Sequence, residues 1–219
     1  MAVQARGERS RSAALNAAIR ILTDAGYAAL TTRAVQEASG LSRGSFLHHF
    51  PTREDLLAET IEELVERRAV RAQQIIDRFV AHPPEDRLVA AVNAVRELSS
   101  GSDFLAEGEL WAAARTNPVF SNTVAPVAAR ATKRLREQLA ELFGPEIAAA
   151  PDFPILAMLT VELARGLALS APIRRGRGDD PILDYWCRAA TTMLDHEPSR
   201  DRSPRDYNTT DDDQIPPTP

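Results

Sequence analysis

Residues 31–57, TTRAVQEASGLSRGSFLHHFPTREDLL, decide how the chain is read. Two short helical segments meet there at a glycine. Thr31 and Thr32 can cap a segment carrying Val35 and Ala38. Gly40 then breaks it and supplies the left-handed backbone that a tight turn needs. Ser42 can cap a second segment reaching about His49, and Pro51 stops it from continuing past Phe50. Thr52, followed by Glu54 and Asp55, starts a longer helix with a cap and acids in its first turn.

The same stretch contains a literal G-x-S-x-G, Gly40-Leu41-Ser42-Arg43-Gly44, the nucleophile-elbow string of serine hydrolases. An elbow needs a buried strand before the serine. TTRAVQEAS instead places Arg, Gln and Glu where such a strand would carry Val or Ile. The later acid and histidine of a triad would have to come from His82, in a Pro-rich break, or His196, at the start of a polar tail. His48 and His49 are neighbours on a helix, about 100° apart, and cannot both face one site. A hydrolase using Ser42 remains the alternative from another class, and no enzyme activity is expected.

Helix, glycine-containing turn, helix is helix-turn-helix spacing. Leu41 plugs the turn, and Val35, Ala38, Phe46 and Phe50 can face Leu15, Ile19 and Leu22 of a preceding helix to make a small three-helix core. Gly44, in the first turn of the second helix, permits close approach to DNA or to helix one. Thr32, Arg33, Ser42, Arg43, Ser45, His48 and His49 are then left exposed, all hydroxyls, cations and imidazoles that can bond phosphate oxygens and base edges. Charge points the same way. Residues 1–53 hold seven arginines against Glu8, Asp24 and Glu37, a balance of +4; the whole chain carries −5, so the remainder carries −9. A basic quarter on an acidic chain implies an anionic partner for that quarter.

The segment 31–57 resembles the N-terminal signature of tetracycline-repressor-like (TetR) transcriptional regulators: a Thr-led helix, a Gly-apolar-Ser turn, a recognition helix ending in His-Phe, then a capped long helix. The resemblance covers about residues 10–60 and implies a dimeric DNA-binding regulator, a repressor released from a pseudo-palindromic operator by a small molecule. It implies that Thr32 and Arg33 contact phosphate, that Ser42, Arg43 and Ser45 enter the major groove, and that His48 and His49 touch phosphate or flanking sugar. Arg53 stands where the family carries a phosphate clamp. Leu47 departs from the family's usual Tyr, and Gln36 and Ser39 replace residues that are often Ala. A regulator of the same fold controlled by a protein partner is a further alternative.

Outward from this stretch nearly every segment has helical periodicity, and no alternation supports a sheet. Leu57, Ile61, Leu64, Ala72, Ile75 and Phe79 form the stripe of a long helix ending at His82-Pro83-Pro84. Further stripes run Leu88/Val92/Val95, Phe104/Gly108/Trp111, Phe120 to Leu142 (stopped by Gly144-Pro145), Ile155 to Ser170 and Ile182 to Leu194. The expected fold is all-α, about nine helices, divided into a helix-turn-helix domain (1–52), a larger ligand-binding and dimerisation domain (53–195) and a disordered tail (196–219) rich in Pro, Asp, Ser and Thr. Phe104, Trp111 and Arg115 are the candidate effector contacts. Leu163, Gly166, Leu167, Ile182, Leu183, Trp186 and Ala190 form the candidate dimer face, implied by the resemblance; burial within one chain is the alternative. Cys187, the single cysteine, is read as a packed thiol, and the Asp211–Asp213 run as solvated tail. No cofactor, metal or membrane partner is expected, and the absence of a secretory signal points to the cytoplasm.

Overall fold

The structure, a computed structural model, describes residues 2–171, 173 and 181–195. Most of the expected loop 171–181, the tail from 196 and the Asp211–Asp213 run lie outside them. The described residues form ten α-helices and one 3-10 turn, with no strand among them. The helices are α1 (Ala2–Ala25), α2 (Thr32–Ser39), α3 (Arg43–His49), α4 (Arg53–Ala81), α5 (Arg87–Leu98), α6 (Ser102–Thr116), α7 (Pro118–Phe143), α8 (Pro145–Ala148), α9 (Phe153–Ser170) and α10 (Pro181–Asp195); the turn is Tyr27–Ala29. The all-α expectation holds. The helix beyond the nine expected is the single turn α8, too short for a periodic stripe to announce it.

Local chemistry accounts for the N-terminal boundaries. Gly26 (φ 74°) ends α1, and Gly40 (φ 70°, left-handed) ends α2. Thr31, not Thr32, caps α2: its hydroxyl oxygen accepts from Ala34 N at 3.1 Å. Ser42 Oγ accepts from Ser45 N at 3.2 Å at the start of α3. A complete capping box opens α4, with Thr52 Oγ1 accepting from Asp55 N (3.0 Å) and Asp55 Oδ2 accepting from Thr52 N (3.1 Å).

The interior divides into two hydrophobic clusters. The first holds Leu15, Ile19 and Leu22 of α1, Val35 of α2, Phe46 of α3 with Phe50, and Leu57, Ile61 and Leu64 of α4. It continues without a break into Ala106 and Leu110 of α6 and Phe120, Val124 and Val127 of α7. The three-helix core is therefore as expected except at Ala38, which is exposed at the solvent end of α2, one turn past Val35. The second cluster joins Ile75 and Ile76 of α4 to α5, the end of α7, α9 and α10. The α4 helix runs through both clusters, and between Leu64 and Ile75 it carries Arg67, Arg68 and Arg71. A polar layer thus separates the two cores.

By length and composition α9 could cross a membrane. Its inner face (Leu156, Ala157, Thr160, Val161, Ala164) is buried within the second cluster's region, while Ile155, Leu159 and Leu169 are exposed.

Candidate nucleic-acid interface

The outer face of α3 is set by its first turn. With Ser42 occupied as the cap, Arg43 begins the helix exposed and makes no ion pair among the described residues. At Gly44 nothing lies within 4 Å of where a Cβ would stand, so packing on α1 does not demand glycine there. The open side faces solvent. Phe46 and Phe50 point inward, their rings 5.3 Å apart, and hold the helix on the core. Ser45 is half-buried; Leu47 and His48 are exposed. His49 is half-buried, its Cε1 3.9 Å from a Cβ built on Gly7, so it packs on the N-terminal turns of α1. Arg6 and Arg9 of those turns are exposed. No acid lies on α3, and its N-terminal amides add partial positive charge.

On α2, Thr32 is half-exposed in the first turn. Arg33 is 84% exposed and bonds Glu37 at 2.8 Å. Glu37's hydrogen bond and charge push the Arg33 pKa up, which leaves its charge unchanged at any physiological pH. So exposed an i,i+4 pair is weak and can open to a phosphate.

Arg53 is placed differently from its expected neighbours. Its Nη1 donates to Tyr27 Oη at 3.1 Å, its Nη2 donates to Leu30 O at 3.4 Å, and the guanidinium lies 4.9 Å from the Tyr27 ring centroid. The residue expected to clamp phosphate pins the turn between α1 and α2 to the start of α4. Tyr27 N also receives an acceptor from outside the three-helix unit, Glu109 Oε2 of α6, at 3.0 Å. Thr23 Oγ1, whose one proton is shared with Ile19 O at 2.9 Å, also lies 3.2 Å from Ser102 O, the first residue of α6. The N-terminal unit is therefore tied to α6 by two polar contacts as well as by shared core.

The inward side of α6 carries Glu107, 4% exposed. Its Oε2 accepts from Arg68 Nη1, and its Oε1 accepts from Trp111 Nε1 at 3.0 Å. Burial pushes this carboxyl up, but the hydrogen bond and charge of Arg68, the Trp111 bond and the charge of Arg165 together outweigh burial and hold its pKa below the ordinary value. Nearby, Arg71 pairs with Asp103 at 3.7 Å, and its buried Nε has no partner among the described residues. Glu107 was legible only as an acid one turn before Trp111 and one turn after Phe104 on an apolar stripe.

Beside this pair lies a partly open cavity of about 40 Å³ among α4, α5, α6, α7 and α9. Phe104 lines it; Trp111 and Arg115 do not, Trp111 being engaged by Glu107 and Arg115 exposed in the last turn of α6. A second space, about 740 Å³, is an open surface cleft between α4 and α5, lined by Arg78, Phe79, His82, Asn93 and Arg96 among others. Of the candidate dimer face, Leu183 and Ala190 are buried within the chain, and Trp186 Nε1 donates to Thr160 Oγ1 at 2.9 Å. Leu163 and Leu167 pack on the second cluster; Gly166 and Ile182 are exposed. Cys187 packs on the second cluster, and burial, then the charges of Asp184 and Asp86, push its thiol pKa up and keep it protonated.

Residues 14–60 match the family model for bacterial regulatory proteins of the tetR family. The helix-turn-helix segment is of the TetR type. An HTH-type transcriptional regulator of Mycobacterium bovis is 28% identical over 168 residues, covering 76% of this chain and 84% of the relative. The HTH-type transcriptional repressor AcnR of Corynebacterium glutamicum is 30% identical over 112 residues, 51% of this chain and 54% of the relative. In structure, the TetR-family member SCO1917 of Streptomyces coelicolor aligns with TM-score 0.62 at 24% identity, over 84% of this chain and 98% of that one. The multidrug binding protein EbrR, in its imidazole complex, aligns with TM-score 0.61 at 24% identity, over 87% and 98%. These TetR-family matches agree with the helix-turn-helix reading of Ser42. Its hydroxyl oxygen is spent on a helix cap, and among the described residues no strand exists to carry an elbow.

Proposed function

We propose that this chain is a TetR-family regulator, a cytoplasmic, homodimeric repressor that reads a pseudo-palindromic operator through α3 and releases it when a small molecule enters the C-terminal helices. The observation that carries the DNA reading is the outer face of α3, where Arg43 stands exposed and unpaired among the described residues beside an open Gly44. Ser42, Arg43 and Ser45 reach base edges; Thr32, Arg33 and His48 take phosphates, with His49 at the flanking sugar and Arg6 and Arg9 beside it. Arg53 serves from behind, holding the turn. Repression follows the relatives, one of which is named a repressor.

The exposed apolar residues Ile155, Leu159 and Leu169 on α9, with Ile182 and Tyr185 on α10, support dimerisation through these two helices. A dimer places two recognition helices about one DNA turn apart. Release is a population shift in which ligand favours a dimer whose two α3 helices are wrongly spaced. The α6 contacts to Thr23 and Tyr27 are the route by which a change at Phe104 or Arg68 reaches α3. Footprinting on the DNA upstream of the chain's own gene tests the reading. A protected pair of half-sites related by a dyad is expected, with two chains per duplex by sedimentation; a single unpaired site bound by one chain contradicts it.

A further inference from the structure

The polar layer between the two hydrophobic clusters presents three guanidiniums to one cavity, Arg68, Arg134 and Arg165, each paired with a single carboxylate. We propose that it receives an amphiphilic anion, a carboxylate on an apolar chain, with the headgroup held by Arg68 and Arg165 and the chain lying among Val95, Leu98, Leu135 and Leu139. The inference rests on the ligand-responsive reading above and supplies its ligand class.

A guanidinium carries five N–H donors. Arg68, 16% exposed at its side chain, spends one on Glu107, and its others bond nothing among the described residues. Glu107 accepts one bond from Arg68 and one from Trp111. Arg165 also lines the cavity, and its charge reaches Glu107. Arg165 bonds the exposed Glu162 at 3.1 Å, a contact too weak to hold it against a buried anion. At the rim Arg134 pairs with Glu66 on the surface. The cavity walls thus include three guanidiniums (Arg68, Arg134, Arg165) and no carboxylate, set in a lining otherwise mostly apolar. A bound cation would lie against three guanidiniums whose carboxylate partners, Glu107, Glu66 and Glu162, are not part of the lining. A neutral ligand without an acceptor would displace water from those spare donors and return no bond to them.

Size refines the picture. About 40 Å³ holds roughly a carboxylate or one water, not a whole ligand. The chain therefore enters by parting α7 from α4, where the joining bonds at the cavity wall are Arg134 to Glu66 and Gln138 Nε2 to Ala69 O (2.8 Å), with Arg130 Nη2 to Glu62 (2.7 Å) one turn away.

The test uses the full chain with octanoate, 1-octanol and octylammonium as probes. Calorimetry measures affinity, thermal unfolding reports stabilisation, and a fluorescent duplex carrying the footprinted site reports release. Octanoate is expected to bind at least tenfold more tightly than the other two and to raise Tm. Arg165→Gln should weaken octanoate at least tenfold and leave octanol unchanged, its own Tm without probe showing that it folds. Arg96→Gln, in the open cleft on α5, should leave octanoate binding as it was. Octanol or octylammonium binding as tightly as octanoate, an unaffected Arg165→Gln, or no octanoate binding overturns the proposal. Release by octanol or octylammonium alone would overturn the anion while keeping ligand control. Octanoate bound through Arg165 without duplex release would keep the anion and overturn ligand control.

Discussion

Helices α3 and α6 carry their polar side chains on opposite sides of the protein surface. On α3 the arginine and a histidine project into solvent, and the intramolecular work is left to two phenylalanines and a serine cap. On α6 the acids turn inward or sideways: Glu107 to Arg68 and Trp111, Asp103 toward Arg67 and Arg71, Glu109 to the backbone of Tyr27. A polar group in water can be lent to another molecule at little cost to the fold. One buried in a pair cannot be removed without stranding its partner. Changes on α6 should therefore read out first as stability, and changes on α3 first as binding.

The largest effect tests the buried side of that contrast. Glu107→Ala leaves the Arg68 guanidinium uncompensated and is expected to lower unfolding free energy by about 3–5 kcal/mol in denaturant titrations. A loss below about 1 kcal/mol would mean that the pair is solvated and the contrast false. Acid titration checks the same group. Because its folded pKa is depressed, Glu107 contributes stability that is present above its unfolded value, about 4.3, and lost as pH falls through the lower folded value. Glu107→Gln should flatten that acid limb.

Next comes Arg43→Ala, expected to cost about 1–3 kcal/mol of discrimination between operator and unrelated duplex while leaving stability within about 0.5 kcal/mol. Arg53→Ala lies between the two helices in character. As a pin on Tyr27 and Leu30 it should lower stability by about 1–2 kcal/mol and leave the salt dependence of DNA binding unaltered. A fall of about one in the slope of log affinity against log salt would restore its role as a phosphate clamp. Smallest is Arg33→Ala, where the open Glu37 pair predicts that slope change of about one with little effect on base preference.

How much of this was readable beforehand divides along the same line. The caps at Thr31, Ser42 and Thr52 and the turn at Gly40 are local chemistry, decided within four residues, and they placed α2, α3 and α4 almost to the residue. Phe46 and Phe50 were legible as core because a short helix between breakers has one face to bury. Arg53's contacts were not legible because its partners, Tyr27 and Leu30, lie more than 20 residues away and the family pattern records position, not contacts. The cover of Leu183 and Ala190 was open for a related reason: an apolar stripe on α10 says that something covers it, not whether the cover is the same chain. Glu107 needed Arg68 of another helix to make sense of an acid on an apolar face.

The account stands most directly on what α3 reads. Wild-type chain and Arg43→Ala, each used to enrich binding sites from a pool of random duplexes, measure it. The account predicts a two-fold symmetric motif for the wild type and loss of the positions that Arg43 reads, at the same place in both half-sites, for the variant. An identical motif from both proteins would contradict it.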